Sequence, residues 1–222
     1  MNKAKNFERQ ITIEQKLELL KLSGIDEVFG KNFIPENSKN LLKKLFEEFQ
    51  NCQKCKLSKT RNNFVIGEGN SDAEIMFVGE GPGMQEDIQG KPFVGSAGKL
   101  LTKMLKAINL ERESVYITNV VKCRPPQNRN PEADEISTCI PILYKQIEII
   151  QPKIICALGK VAGNLLLKKD TTLGNMRGKF FQKENYKVFV TYHPSALLYH
   201  PQWKKPTWED LQMLMNEYKK IS

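Results

Sequence analysis

The chain of 222 residues lacks the long apolar segments that membrane insertion and export require. No stretch approaches about eighteen consecutive apolar residues, so we expect no membrane-spanning helix. Residues 1–6 contain no apolar core of a signal peptide, which favours an intracellular, cytoplasmic protein. Internal repeats and low-complexity tracts are absent as well, so the sequence does not indicate a repeat architecture.

Acidic residues are outnumbered by basic ones. The chain has 25 Asp and Glu against 34 Lys and Arg, a formal net charge of +9 and a pI near 9.2. This excess of positive charge favours a polyanionic partner, and nucleic acid is the first candidate. The length suits one domain with a sizeable core, alone or with an appendage.

Cysteine is scarce, and four of the five cysteines are split between two remote places. Cys52 and Cys55 form a Cys-x-x-Cys pair, which offers two thiolates to a metal centre and needs two more ligands to complete a shell of four. Cys123 and Cys139 are the obvious suppliers. If the fold unites these cysteines, two distant loops meet beside the glycine-rich segment 79–87.

Other chemistries of these cysteines are less favoured. Disulfides are rare in intracellular proteins, and no predicted strand precedes the Cys-x-x-Cys pair as in a redox motif. The spacing leaves zinc and an iron–sulfur cluster both open, although fifteen residues separate Cys123 from Cys139. Cys156 lies in the apolar run 154–158 and is predicted to be an inert core residue.

Apolar runs alternate with helical patterns along most of the chain. This alternation predicts an α/β fold, a three-layer α/β/α sandwich around a central, mainly parallel sheet of four strands. Residues 1–40, with an amphipathic helix at 11–22, are predicted to be a helical appendage of unknown role, and residues 41–222 the main domain. Pro141 is expected to kink or interrupt the helix 131–150. The predicted strands are 74–78, 115–121, 153–158 and a fourth strand or hairpin formed by 180–182 and 187–191. The other predicted helices are 38–50, 97–108, 159–169 and 207–220.

Three polar residues stand where the predicted strands end, and ligands of parallel α/β sheets bind at such carboxyl ends. Glu80 follows the first strand, Asn119 lies at the end of the second, and His193 follows the last. The amide of Asn119 presents a donor and an acceptor together, which matches the O4 and N3–H edge of uracil and mismatches cytosine. Taken alone, an asparagine there is more often a turn or cap residue.

The segments beside these residues are rich in glycine and proline. The turn 79–83 either exposes backbone amides to a ligand or is a tight strand–helix connection. Phe93, in the loop 90–96, is either core or a platform on which a base stacks. Ser96 stands where a phosphate-binding loop requires lysine, which excludes nucleoside triphosphate binding through that motif.

Residues 191–198 carry His193, one of two histidines in the chain. Pro194 suits a helix start, so the amides around Ser195 are placed to face an anion such as a DNA phosphate. Leu197 and Leu198 form an apolar wedge into a base stack if they are exposed. Helix core is the other interpretation, and it is favoured for at least one of them.

Together these segments resemble the family 4 uracil-DNA glycosylases, the iron–sulfur type found mainly in bacteria and archaea. The resemblance covers residues 41–218, and seven matching segments in the right order are specific where any one would be weak. It rests on the Cys52–Cys55 pair, GEGPG at 79–83 with Glu86 and Asp87, GKPFVG at 90–95, NVVKCRPP at 119–126, Cys139, MRG at 176–178 and HPS at 193–195.

The resemblance implies a cofactor and two catalytic residues. His193 would hydrogen-bond O2 and stabilise the departing uracil anion. Glu80 would line the water and sugar side of the pocket. A mainly structural [4Fe-4S] cluster, with zinc as the alternative metal, would be held by Cys52, Cys55, Cys123 and Cys139.

The resemblance also implies how the base is recognised. Phe93 would stack on the extruded uracil, and Asn119 would read its Watson–Crick edge. The backbone of Gly81 would line the sugar side, and Glu86 would oppose the 5-methyl group of thymine. Ser195, Leu197 and Leu198 are the candidate DNA-binding residues.

The function implied is that of a monofunctional enzyme. It would extrude uracil from single- or double-stranded DNA and hydrolyse the N-glycosidic bond, leaving an abasic site for base excision repair. No motif places Lys122 as a Schiff-base lysine, so no strand cleavage is expected. Two alternatives remain: a non-catalytic iron–sulfur module that binds or senses damaged DNA, and a related glycosylase with another base preference. The short stretch 125–131 has no basic insertion with a nucleophilic histidine, which argues against covalent trapping of the product.

Overall fold

A single sheet of six strands organises the computed structural model, which describes residues 37–221. The strands are β1 (Glu68–Gly69), β2 (Ile75–Gly79), β3 (Tyr116–Asn119), β4 (Ile154–Leu158), β5 (Phe180–Gln182) and β6 (Lys187–Thr191). Their order across the sheet is β1-β3-β2-β4-β6-β5. The four central strands run parallel, and β1 and β5 pair antiparallel at the two edges.

The predicted α/β architecture is confirmed, but the sheet has six strands where four were expected. β1 has two residues and β5 has three. The hairpin alternative predicted for 180–182 and 187–191 is confirmed as β5 and β6. β1 was not predicted, because two residues are too few to show an alternating or continuous apolar pattern.

Helices cover both faces of this sheet. They are α1 (Ser38–Phe49), α2 (Met84–Gln89), α3 (Ser96–Ala107), α4 (Ala133–Ile150), α5 (Lys160–Leu167), α6 (Leu173–Met176), α7 (Pro194–Tyr199) and α8 (Lys204–Ile221). Short 3₁₀ turns lie at Lys56–Lys59, Arg112–Ser114, Pro126–Asn128 and Pro201–Trp203. No helix within residues 37–221 combines the length and the hydropathy that a membrane crossing needs.

Side chains of the central strands alternate between two apolar cores. Along β2, Ile75 and Phe77 enter a core with α3, α7 and α8, whereas Met76 and Val78 enter a core with α1, α4 and α5. A strand buried on both faces is apolar throughout, which is why β2 and β4 read as continuous apolar runs. Cys156 lies in β4 and is fully buried.

The strand register brings the candidate residues to one edge of the sheet. Gly79 at the end of β2 pairs with Asn119 at the end of β3, and Leu158 of β4 pairs with Thr191 of β6. Because these strands are parallel, the residues that follow them emerge on the same side, as expected from the sequence.

Two local predictions had other outcomes. α4 continues without interruption through Pro141, because its buried face, which includes Ile142 and Leu143, packs into the core and outweighs the missing hydrogen bond. The predicted helix at 11–22 and residues 1–36 of the predicted appendage lie outside the described residues. α1 begins at Ser38 with Asn37 as its N-cap and buries Leu45 and Phe49, so it packs into the main core.

Candidate active site and four-cysteine centre

Asn119 is the most unusual polar residue at the carboxyl edge of the sheet. It is the last residue of β3, its side chain is 1% exposed, and its Oδ1 has no hydrogen-bond partner within residues 37–221. An unpaired buried acceptor costs about 1–3 kcal/mol. The fold gains nothing from this atom, so its placement points to a ligand.

Phe93 converges with Asn119 over the end of β2. A Cβ atom added to Gly79 would lie 2.4 Å from Asn119 Oδ1 and 2.5 Å from Phe93 Cζ, so only glycine fits there. The Phe93 ring is buried, and its centroid lies 5.5 Å from that of the His193 imidazole at an interplanar angle of 34°. The amide, the phenyl ring and the imidazole therefore line one site.

His193 follows β6 and is the N-cap of α7. The backbone N–H of Ser195 donates to His193 Nδ1 at 3.2 Å, and Ser195 Oγ lies 2.7 Å from the same nitrogen. A ring nitrogen that accepts from an N–H carries no proton itself, so the neutral imidazole has its proton on Nε2. Ser195, predicted to bind DNA, thus sets the tautomer of His193 in this structure.

The charge state of His193 follows from its surroundings. Burial lowers the pKa of His193 to about 4, and the nearby Glu86 carboxylate opposes this shift. The imidazole is therefore neutral at physiological pH and presents an Nε2–H donor.

Glu86 binds the main chain of the loop that carries Phe93. Its Oε1 accepts from the amides of Val94 at 2.9 Å and Gly95 at 2.8 Å. Asp87, the next residue, accepts from the backbone amides of Asn62 and Asn63, at 2.9 and 3.2 Å. The two carboxylates of α2 therefore tie this loop and the segment after the Cys-x-x-Cys pair to one short helix.

Glu80 and Gly81 continue from β2 into the glycine-rich turn. The Glu80 carbonyl accepts from the Val121 amide at 3.1 Å, and its half-buried carboxyl has a pKa raised by burial. A Cβ on Gly81 would lie 2.8 Å from Val121 Cγ2. The turn thus packs closely against the segment that follows Asn119.

The two leucines of α7 have different environments. Leu197 is 2% exposed and belongs to the core, whereas Leu198 is 45% exposed. Tyr199, which ends the helix, is 81% exposed. A wedge has to reach solvent, so Leu198 is the candidate of the pair. His200 is exposed, as predicted, and its ring lies 4.2 Å from that of Trp203.

Four cysteines approach one another beneath this edge of the sheet. They come from the segment after α1, from the segment after β3 and from α4, and all four pack at one apolar core. Burial raises the pKa of Cys123 to about 11, with further increases from Cys139 and Cys55. Burial also raises the pKa of Cys139, to which Cys55 and Cys52 contribute. These contributions place Cys55 near Cys123 and Cys139, and that all four cysteines bind one metal centre stays a prediction.

Two N–H donors accompany these sulfurs. Arg61 Nη1 lies 2.9 Å from Cys123 Sγ, and the backbone amide of Lys122 lies 3.3 Å from Cys139 Sγ. Hydrogen bonds to thiolate sulfurs are typical of iron–sulfur sites and tune their potentials. Within residues 37–221, no three Cys, His, Asp or Glu side chains are grouped as ligands of a single metal ion. Four cysteine thiolates are the usual ligand set of iron–sulfur clusters.

Lys122 is fully buried and contacts both the end of β3 at Asn119 and the sulfur of Cys139. Its Nζ donates to Thr118 Oγ1 at 2.7 Å, to the Asn119 carbonyl at 2.6 Å and to Gln146 Oε1 at 2.6 Å. Burial lowers the pKa of this amine to about 7. All three bonds hold Nζ inside the protein.

The sequence motifs do not include the residues that hydrogen-bond to the supports of Asn119 and Phe93. Gln146, Arg112 and Glu68 lie in no motif, and their partners are remote in the chain: Gln146 binds Lys122, 24 positions away, and Arg112 binds Glu68, 44 positions away. Lys122 gave one signal, a charged residue next to the apolar pair Val120 and Val121, and this pattern indicates a buried and satisfied lysine.

Comparison with known families identifies the chain. The family model described as the uracil DNA glycosylase superfamily matches residues 66–212. The chain belongs to this superfamily. It is 54% identical over 175 residues to the type-4 uracil-DNA glycosylase of Saccharolobus solfataricus, covering 75% of this chain and 81% of that protein.

Two further relatives place the chain within the superfamily. Identity to the type-4 uracil-DNA glycosylase of Archaeoglobus fulgidus is 47% over 178 residues, 77% of this chain and 89% of the relative. Identity to the type-5 uracil-DNA glycosylase of Pyrobaculum aerophilum is 32% over 146 residues, 58% of this chain and 64% of the relative. The resemblance to family 4 seen in the motifs is confirmed.

The depressed pKa of His193 predicts a specific acid sensitivity. Below pH 6.5 the unfolded chain protonates this histidine while the folded chain resists protonation down to about pH 4. The stability that His193 contributes is thus present above pH 6.5 and is lost as the pH falls towards 4, by at most about 1.4 kcal/mol per pH unit. Urea unfolding at pH 7.5, 6 and 5 should show that the free energy of unfolding falls more steeply with decreasing pH for the wild type than for His193→Gln. Parallel losses would contradict the assignment of a neutral imidazole in the folded protein.

Proposed function

We propose that this protein is a monofunctional uracil-DNA glycosylase that extrudes uracil from DNA and hydrolyses its N-glycosidic bond. The observation that carries this proposal is the unpartnered Oδ1 of Asn119, buried beside Phe93 and His193. The names of the type-4 relatives support the same activity. A non-catalytic DNA-binding module would need neither an orphan amide nor a neutral histidine at the sheet edge. The activity is assigned to the domain of residues 41–222, into whose core α1 packs.

Base recognition rests on the asparagine amide. Asn119 Oδ1 accepts from N3–H of uracil, and its amino group donates to O4. Cytosine presents an acceptor at N3 and a donor at N4, so both contacts are mismatched. Phe93 supplies the stacking surface, and stacking of a base on an aromatic ring is worth about 1–3 kcal/mol.

Bond cleavage rests on the histidine. As the bond between C1′ and N1 breaks, negative charge develops on the leaving uracil and its O2 accepts from His193 Nε2–H. One preorganised donor of this kind contributes roughly 3–4 kcal/mol to transition-state stabilisation. The neutral tautomer set by Ser195 keeps this donor in place without adding a proton that the reaction would have to remove.

Glu80 and Gly81 are assigned to the sugar side. Water attacks C1′ as uracil departs, and the half-buried carboxyl of Glu80, with the backbone of Gly81, orients that water and supports the developing positive charge of the sugar. Glu86, which fixes the loop after Phe93 through the amides of Val94 and Gly95, is assigned to oppose the 5-methyl group of thymine.

DNA binding is assigned to the basic surface and to α7. The net charge of +9 favours phosphate contacts, which weaken with salt. Extrusion of a base from a duplex costs a few kcal/mol. Leu198 enters the space that the extruded base leaves, while Leu197 supports the helix from the core. Ser195 lies at the start of the same helix, and its amide serves His193.

A [4Fe-4S] cluster is assigned to Cys52, Cys55, Cys123 and Cys139. When bound, the cluster supplies a structural link between segments that the chain separates widely, with no role in the hydrolysis. The contacts from Arg61 and Lys122 to two of the sulfurs support thiolate ligands at these positions, because N–H donors stabilise negative sulfur.

Uracil release tests the proposal directly. Wild-type protein should produce alkali-labile sites in uracil-containing single- and double-stranded oligonucleotides and cause no strand cleavage before alkali treatment. His193→Ala should lower the single-turnover rate about 10²–10³-fold with DNA binding largely intact, since the bond to O2 strengthens in the transition state. Asn119→Asp should impair binding and rate and confer slight cytosine excision, because a protonated carboxyl pairs with cytosine.

His200→Ala is the matched control for the histidine. This residue is the second histidine of the chain and lies on the surface, so its loss should leave the rate unchanged. Full uracil excision by both His193→Ala and Asn119→Asp would show that these residues are structural and that the active site lies elsewhere.

The two leucines provide a test of extrusion. Leu198→Ala should lower excision from duplex DNA about tenfold, equivalent to about 1.4 kcal/mol, and change single-stranded excision little, because a wedge matters only where a stack must be opened. Leu197→Ala should instead destabilise the fold by about 2–5 kcal/mol, as for other buried leucines. Equal losses on both substrates for Leu198→Ala would assign it to folding rather than extrusion.

The cofactor is tested by colour and metal content. Purified protein should be brown and carry about four irons and four sulfides per chain. Cys123→Ala should lose the colour and part of the stability, whereas Cys156→Ala, a control in the core away from this centre, should retain the colour. A colourless wild type with one zinc per chain would exclude the cluster and support the alternative metal.

A further inference from the structure

Phe93 has a backbone conformation that a phenylalanine rarely adopts. Its φ is +52°, in the left-handed region that costs energy for every residue with a side chain. Strained residues persist only when their surroundings hold them, and they cluster at functional sites. The groups that hold Phe93 are therefore part of the site.

Arg112 holds the Phe93 main chain from one side. This residue begins the 3₁₀ turn between α3 and β3, and it lies outside all the motifs of the sequence. Its Nη1 donates to the Phe93 carbonyl at 3.0 Å and its Nη2 to the Pro92 carbonyl at 2.8 Å. The planar guanidinium thus binds two consecutive carbonyls, which a lysine has no geometry to reproduce in full.

Glu68 holds Arg112 in turn. Its Oε1 lies 2.5 Å from Arg112 Nη2, and the two side chains are 32% and 17% exposed. Glu68 belongs to β1, whose pairing with β3 places its carboxylate beside the turn of Arg112. The antiparallel edge strand β1 therefore contributes to the site, because its Glu68 carboxylate binds the Arg112 guanidinium.

The peptide unit between Phe93 and Val94 is held at both ends. Its carbonyl accepts from Arg112, and its N–H donates to Glu86 at 2.9 Å. The same carbonyl lies against the start of α3, where a Cβ on Gly98 would be 1.8 Å from it. A cation and an anion thus fix the plane of this peptide, and the plane sets the direction of the Phe93 ring.

We propose that Arg112, anchored by Glu68, is a positioning residue that aims the Phe93 ring at the base held by Asn119. This inference deepens the proposed function and rests on it for the role of Phe93. Without Arg112 the carbonyls of residues 92 and 93 lose their donors, Phe93 relaxes from its left-handed conformation, and its ring leaves the site between Asn119 and His193.

A double-mutant cycle with Phe93 tests this role, because a positioning residue has no effect once the residue that it positions is gone. Arg112→Ala should lower kcat/KM for a single-stranded uracil oligonucleotide about 5- to 100-fold, the scale of one base–aromatic stack. In the Phe93→Ala background the same change should cost less than about twofold. In the otherwise wild-type protein, Arg112→Lys and Glu68→Gln should each lower kcat/KM less than Arg112→Ala does.

Glu111→Gln is the matched control, because Glu111 precedes Arg112 and makes an exposed ion pair with Lys106 at 3.9 Å. Its kcat/KM should equal that of the wild type. Urea unfolding of each variant measures stability separately. If Arg112→Ala does not fold, Arg112→Lys and Glu68→Gln complete the same cycle.

Two results would overturn this inference. One is wild-type kcat/KM in Arg112→Ala, and the other is an equal loss with and without Phe93, which marks a role in stability alone. Failure of the proposed function is distinguishable, because it appears as the absence of uracil release by the wild type. If Phe93→Ala lowers kcat/KM and Arg112→Ala does not, the positioning role is rejected and the proposed function stands.

Discussion

The site depends on the close approach of Asn119 and Phe93 over Gly79. Both side chains reach within about 2.5 Å of the place where a Cβ of residue 79 would stand, which only glycine allows. The parallel register of β2 and β3 sets Asn119 beside Gly79, and the loop before α3 sets Phe93 above it. Sheet geometry and one missing side chain thus create the space in which, in the proposed function, a planar base is read at its edge and covered on its face.

Burial determines the electrostatics of that space. It lowers the pKa of His193 and raises that of Glu80, so each group is shifted towards its neutral form. A neutral histidine with its proton on Nε2 suits the stabilisation of an anion that appears only as the bond breaks. Because the desolvation is built into the fold, the donor needs no rearrangement during the reaction.

Support for the site comes from segments remote in the chain. Lys122 illustrates this arrangement, since its Nζ binds the Asn119 carbonyl while its amide binds Cys139. One residue, Lys122, therefore contacts both the end of β3 at Asn119 and the sulfur of Cys139. Arg112 and Glu86, which lie on two separate elements, hydrogen-bond to the carbonyl and the N–H of the Phe93–Val94 peptide. The functional side chains lie on short segments, and the rigid body of the sheet and helices holds those segments.

The sequence alone determined the alternation of strands and helices and the strand-end positions of Glu80, Asn119 and His193. These features follow from local apolar patterns and from the rule that parallel strands present their carboxyl ends together. Tertiary structure alone decided the edge strand β1, the continuity of α4 through Pro141, and the separate environments of Leu197 and Leu198. It also decided the tautomer of His193 and the contact of Arg112 with Phe93. Each of these depends on contacts between segments far apart in the chain, and such contacts have no periodic signature in the sequence.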